Sequence, residues 1–201
     1  MASFRMDNWI DNWTDNAKWF VVAGCIVINI VLGKLDSALG LPIFLDTIGT
    51  ILAALLLGPW MGMLTGLCSN LIWGLISGLP AEAFAPVSMA IGLSSGYLGR
   101  HGMFRSLPRV FVAGILVSIV ATLVATPIRT YLFSDGQTGV GADFLILYLS
   151  AVGQNLIQSV AWAIAGVNLI DKVLSCVIAW GIVKAMPKRL RAYFPEICPS
   201  E

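Results

Sequence analysis

The stretch Pro108–Phe133, PRVFVAGILVSIVATLVATPIRTYLF, carries charge only at Arg109 and Arg129. Between those arginines every residue is apolar or small, and about 20 such residues are what an α-helix needs to cross a bilayer's hydrocarbon. The same reading recurs outward from it, at Trp19–Leu35, Pro42–Leu57, Trp60–Ile76, Phe84–Leu98 and Asn168–Met186. Several of these are short, which implies tilt, local thinning or burial by neighbours. Gly58-Pro59 divides the second from the third, because proline lacks the N–H that the helical ladder needs. Leu79-Pro80 and the glycines Gly136 and Gly139 mark further turns. Composition agrees: the 201 residues are 58% hydrophobic and 11% charged, with a mean hydropathy of +0.86. A soluble domain is about half apolar and a quarter charged, and a chain this short has no interior to hide the surplus. A net charge of +1 gives no electrostatic footprint for nucleic acid. The expected class is an all-α membrane protein.

Basic residues set the expected orientation. Arg100, His101, Arg105 and Arg109 cluster between the fourth and fifth spans, and Lys184, Lys188, Arg189 and Arg191 follow the last. The positive-inside rule places both clusters in the cytoplasm. Six spans with cytoplasmic N- and C-termini satisfy both at once. Phe144–Val167 is apolar enough to cross but carries Gln154, Asn155 and Gln158, and a seventh crossing would put the C-terminal cluster outside. It is therefore expected as a re-entrant or interfacial element within a long outer loop, Ser134–Val167, before the last helix. The other outer loops are then Lys34–Leu41 and Ser77–Ala83. Residues 1–18, with Trp9 and Trp13, lack the features of a signal peptide and read as an amphipathic interfacial segment. Residues 19–190 form the six-helix transmembrane domain, and 191–201 a cytoplasmic tail.

Small residues recur at helical spacing. Gly58, Gly62 and Gly66 repeat every four residues, Gly92 and Gly96 repeat the device, and Gly114, Ser118, Thr122 and Thr126 continue it. Such a face lets helix backbones approach closely. Ordinary packing within the chain is the commoner use; a docking face for a partner is the sharper one. The match G-x-S-x-G at Gly92–Gly96 lies in an apolar helix, and the chain's one histidine sits in a basic loop, so a serine hydrolase is not supported. No Walker A sequence is present. The cysteines Cys25, Cys68, Cys176 and Cys198 show no metal-ligand or disulfide spacing and read as small apolar residues. Neither a metal nor a cofactor is expected.

Leu39-Gly-Leu-Pro-Ile-Phe-Leu-Asp46-Thr-Ile-Gly-Thr50, followed by Ala53-Ala-Leu-Leu-Leu-Gly58-Pro-Trp60-x-Gly62, resembles the substrate-binding (S) subunits of energy-coupling factor vitamin transporters. The resemblance continues through Leu67–Gly78, Thr126-Pro-Ile128 and Asp171-Lys-Val-Leu-Ser175 and covers most of residues 19–190; P-x-F-L-D-x-x-G-T is its specific part. It implies a six-helix subunit of the bacterial cytoplasmic (inner) membrane that captures a micronutrient from outside, under the first, third and fifth outer loops. It further implies a transmembrane coupling protein and two ATPase subunits as partners, with release inward by toppling in the membrane. The family docks its coupling protein through small residues on the first three helices, often as A-x-x-x-A in the first. Here Ala23 is followed four on by Val27, and the row Gly58, Gly62, Gly66 is the candidate substitute.

Polar side chains inside spans are expensive in lipid and usually functional. Asn70, Trp73, Arg129, Tyr131, Gln154, Gln158, Asn168 and Asp171 form the candidate substrate-binding set, in the outer half between spans three and six. Asp171 and Lys172 point about 100° apart on a helix, so one of them, by preference Asp171, is expected to be structural and paired with Arg129. Asp46 is expected to cap the second span. Trp73, Phe84, Tyr131 and Trp162 offer stacking faces, which suits a vitamin-like or nucleobase-like ligand. The expected function is a high-affinity binding subunit for uptake and not an enzyme. A membrane-embedded sensor or assembly protein with a permanent helix-packing partner is the alternative.

Overall fold

The computed structural model describes residues 7–39, 45–133, 138, 143–153 and 155–187, and its regular elements there are all helical. They are α1 (Asp7–Leu39), α2 (Ile48–Leu57), α3 (Pro59–Ser77), α4 (Leu79–Ala83), α5 (Ala85–Arg100), α6 (Leu107–Leu132), α7 (Asp143–Ala151) and α8 (Leu156–Ala185), with a 3-10 turn at Leu45–Thr47. Pro42, Gly136, Gly139, Gln154, Lys188, Arg189, Arg191 and the 191–201 tail lie outside the described residues.

Glycine and proline place the breaks. Gly58 and Gly78 adopt φ of 93° and 95°, which L side chains rarely reach, and so end α2 and α3. Each still donates its N–H back into the helix it closes, Gly58 to the Ala54 carbonyl and Gly78 to that of Gly74. A proline then stands in the first turn of α3, α4, α5 and α6, where no intrahelical N–H is needed.

Among the described residues four helices are long and apolar enough to cross a membrane: Asn16–Asp36 within α1, then α3, α6 and α8. Little of each window is buried by the rest of the chain, from 28% in α1 to 39% in α8. Phe20, Val27 and Val31 on α1, Ile119 and Leu123 on α6, and Trp162 and Ile170 on α8 face outward. A belt of exposed apolar side chains this large is stable only against lipid. The residues 7–18 of the expected lead-in run without a break into the rest of α1.

Residues Phe144–Val167 differ from expectation. They are not one re-entrant element: α7 takes the first part, and from Leu156 the chain enters α8, a single helix of 30 residues, roughly 45 Å long. The last span therefore begins well before Asn168, and Asn155 and Gln158 mark its start. Asn155 caps α8 by accepting from the Gln158 N–H at 2.9 Å, which is how amide side chains at a helix start satisfy the free donors.

Packing runs from the small residues inward. α2 is buried on all sides except at Leu57, and contacts α1, α3, α5 and α8. Gly62 sits against Ala54 of α2, Gly92 against the backbone of Gly62 and Met63, and Gly96 against Pro59. A Cβ at Gly66 would stand 2.5 Å from the Ser88 carbonyl oxygen, and one at Gly114 would stand 2.6 Å from the Val173 Cα. The expected docking row is thus occupied within the chain: Gly62 and Gly66 by α2 and α5, and Gly58 by the turn it makes. Asn29 is a polar clamp in this core, accepting from Gly49 N at 2.7 Å and donating to Thr50 and Ser69 at 2.9 Å each.

The pairs Gly114–Val173 and Thr122–Asn168 run in opposite directions along α6 and α8, so these helices are antiparallel. The start of α6, with Arg109, and the end of α8, with Lys184, therefore share one end of the bundle.

Candidate functional site

At the other end of the bundle lies a cavity of about 580 Å³. The last turns of α1 bring Gly33, Lys34 and Asp36 to it, and the 3-10 turn brings Asp46 and Thr47. α3 contributes Asn70, Trp73 and Ser77, α5 with the turn before it contributes Phe84, Val87, Ser88 and Ile91, and α6 contributes Ala125 and Arg129. Ala81 of α4, Ile164, Asn168 and Lys172 of α8, and Thr138 complete the wall. Mixed apolar walls with a few convergent polar groups are the usual make-up of a small-molecule site, and the volume falls in the usual range of roughly 300–1,000 Å³.

Helix geometry explains which candidates meet there. Asn70 and Trp73 are three apart, and Asn168 and Lys172 four apart, so each pair shares a face. Tyr131 lies two residues beyond Arg129, roughly 200° around the helix. It is 81% exposed and points away from the cavity, so its place in the set is corrected. Gln158 is exposed near the start of α8, ten residues and roughly 15 Å along the axis from Asn168, and does not line the cavity. Gln154 lies outside the described residues. Of the aromatic candidates Trp73 and Phe84 line the cavity, whereas Trp162 is exposed outward. Phe84 stacks on Phe133 with centroids 6.2 Å apart.

The charged residues also differ from expectation. Arg129 pairs with Asp143 at 2.8 Å and donates to Thr138, not to Asp171, and so ties the start of α7 to α6. Asp171 is fully buried behind the cavity wall, bonded to its neighbour Lys172 and, at 3.4 Å, to Ser175. Lys172 is the member of the pair that faces the cavity, and it also donates to Thr47 Oγ1 at 3.0 Å. The two side chains leave the helix in different directions but are long enough to meet at their tips. Asp46 is not a cap: Thr47 precedes α2 without a side-chain cap bond, and Asp46 lines the cavity.

Asn70 has a defined role in the wall. Its amide nitrogen donates to the Phe84 carbonyl at 3.1 Å and to Ser88 Oγ at 2.5 Å. A backbone carbonyl accepts only, so the amide orientation is dictated, and the group Asn70 retains for a ligand is its oxygen. Asn168 donates to Thr122 at 3.1 Å.

Lys34, Asp36 and Asp46 were not among the candidates. The signal for Asp46 was its place in P-x-F-L-D-x-x-G-T. Lys34 and Asp36 read as loop residues because the apolar run stops at Leu35, whereas α1 continues to Leu39.

Residues 20–183 match the model of a family described as the substrate-specific component of ECF transporters. No curated protein and no solved structure matches the chain.

Proposed function

The chain belongs to the family of substrate-specific components of ECF transporters, and from that premise we propose that it is the high-affinity binding subunit for uptake of a vitamin-like or nucleobase-like micronutrient. Components of this family are membrane binding subunits, not enzymes, and work with a membrane ECF module of coupling protein and ATPases. In this reading the protein is a six-helix subunit of a bacterial cytoplasmic membrane, with both termini inside and the cavity opening outward. It binds its substrate and leaves the energy to a transmembrane coupling protein and two ATPase subunits.

The observation that carries the reading is the cavity of about 580 Å³ at the end of the bundle remote from Arg109 and Lys184. The positive-inside rule assigns that basic end to the cytoplasm, which puts the cavity on the uptake side. Asn70, Trp73, Arg129, Asn168 and Lys172 are the residues assigned to the substrate. Among them Asn70 and Lys172 offer an acceptor and a donor, Trp73 offers a stacking face, and Arg129 shapes the wall through Asp143. The sensor or assembly alternative needs no such cavity.

Native mass spectrometry of the purified protein tests the reading. A retained small molecule, held by a smaller share of the protein in Asn70→Ala, is the expected result. A protein that holds none, and that no compound stabilises against unfolding, would remove transport and favour the assembly role.

A further inference from the structure

The charges around the cavity are unequal, and the inequality has a direction. Two buried cations, Arg129 and Lys172, stand among four carboxylates, Asp36, Asp46, Asp143 and Asp171. Arg129 is engaged by Asp143 and Thr138, and Lys172 by Asp171 and Thr47. Lys172 is also the cation that acts on both Asp36 and Asp46, so one buried cation is shared among three carboxylates, with Lys34 exposed at the rim. The two aspartates lie within electrostatic reach of one another, and the Oδ1 of Asp36 is buried with no hydrogen-bond partner. A buried acceptor without a donor is costly, and two like charges in a partly dry site repel. Both penalties are relieved by a ligand that brings a cation with N–H donors.

We infer that the substrate is a ring compound bearing a positively charged nitrogen, received by Asp36 and Asp46 while its ring lies against Trp73. The inference rests on the cavity being the substrate site and names the chemical class that site selects. The remaining walls agree. Asn70 has only its carbonyl oxygen to offer, which accepts a further N–H or O–H. The π-face of Trp73 attracts a cation and repels an anion. A carboxylate or phosphate entering the same space would meet Asp36 and Asp46, while Arg129 and Lys172 already face Asp143 and Asp171.

The test uses the full chain in detergent micelles and three probes on one indole ring: tryptamine, tryptophol and indole-3-acetate, which carry a cation, a neutral hydroxyl and an anion. Titration against thermal unfolding should rank them in that order. The preference for tryptamine over tryptophol should be about tenfold or more, as one charge contact at partial burial supplies. It should shrink towards unity in Asp36→Asn and in Asp46→Asn, two isosteric changes of which the half-buried Asp36 is the gentler to the fold. Indole-3-acetate binding as tightly as tryptamine overturns the inference, and so does a preference that survives both substitutions. Silence from all three probes overturns it too. Native mass spectrometry of the same preparation then separates the two ideas: a retained acidic molecule keeps the binding-subunit reading and sinks only the cationic class, whereas an empty protein sinks both.

Discussion

Lys172 and Asp171 show how one residue position divides structure from recognition. Both are buried, yet Lys172 reaches the cavity and Asp171 holds it from behind. Removing one member of a buried ion pair strands the other, at a cost of about 3–5 kcal/mol. Lys172→Met should therefore lower the unfolding midpoint in micelles, and Asp171→Asn added to it should recover most of the loss. Equal stability of Lys172→Met and the parent would show that the pair is not what anchors α8. Asn70→Ala should weaken ligand binding by roughly 0.5–1.5 kcal/mol, the worth of one neutral hydrogen bond. Tyr131→Ala should leave calorimetric affinity unchanged, because its ring points outward from the bundle; a loss there would place the site elsewhere. Residue types and spacing singled out Asn70, Trp73, Arg129 and Asn168, which the fold brings to one cavity wall. Asp36 was hidden because its chemistry depends on how far α1 runs past the apolar segment.

Among elements, α3 and α5 approach closely through glycine. Gly62, Gly66, Gly92 and Gly96 present two glycine faces with no side chain between the backbones. Gly62→Leu should abolish folding and ligand binding together, since the new side chain collides with Ala54 of α2. Gly24→Leu should do neither, because nothing stands within 4 Å of a Cβ there. Expression and size-exclusion profiles of the two variants check this contrast. Retained ligand binding by Gly62→Leu with loss only of the coupling complex would return that row to a docking role. The spacing of the glycines announced close contact, but two faces with identical spacing do not say which helix each one meets. The long α8 was misread for a different reason. With six crossings counted from the basic clusters, the apolar run before Asn168 was set apart from the last span, whereas it forms the first turns of the same helix, capped by Asn155.

For the whole molecule, the antiparallel pairing of α6 and α8 brings the basic ends together and leaves the cavity at the opposite end. Reporter fusions after Arg105 and after Glu201 should both report the cytoplasm, and an insertion at Ala81–Ala83 should report the outside. An external C-terminus would overturn the orientation and with it the outward-facing site. Buried polar side chains tie the helices of the bundle to one another. Asn29 joins α1, α2 and α3, Asn70 joins α3 to α5, and Lys172 joins α8 to the turn before α2. Asn29→Leu should destabilise the fold, since three hydrogen bonds are lost, and should also weaken ligand binding, because Asn29 shares a crevice with Asp46, Asn70 and Trp73 of the cavity wall. Unfolding in denaturant with and without ligand separates that loss from a loss of affinity.

Composition, the basic clusters and the Gly-Pro breaks were enough to specify a helical membrane protein and most of its helix boundaries. Backbone groups in hydrocarbon have few ways to be satisfied, so an apolar run of spanning length permits little besides a helix. Which face of each helix looks inward was not written in the same way. A soluble helix marks its inner face with apolar residues, but in a bilayer the lipid and the protein interior are both apolar, and the periodic signal fades. Interlocking glycines and a few long polar side chains choose the faces here. The cavity exists only once α1, α3, α5, α6 and α8 stand around it, joining Asp36, Asp46 and Lys172 from segments far apart in the chain.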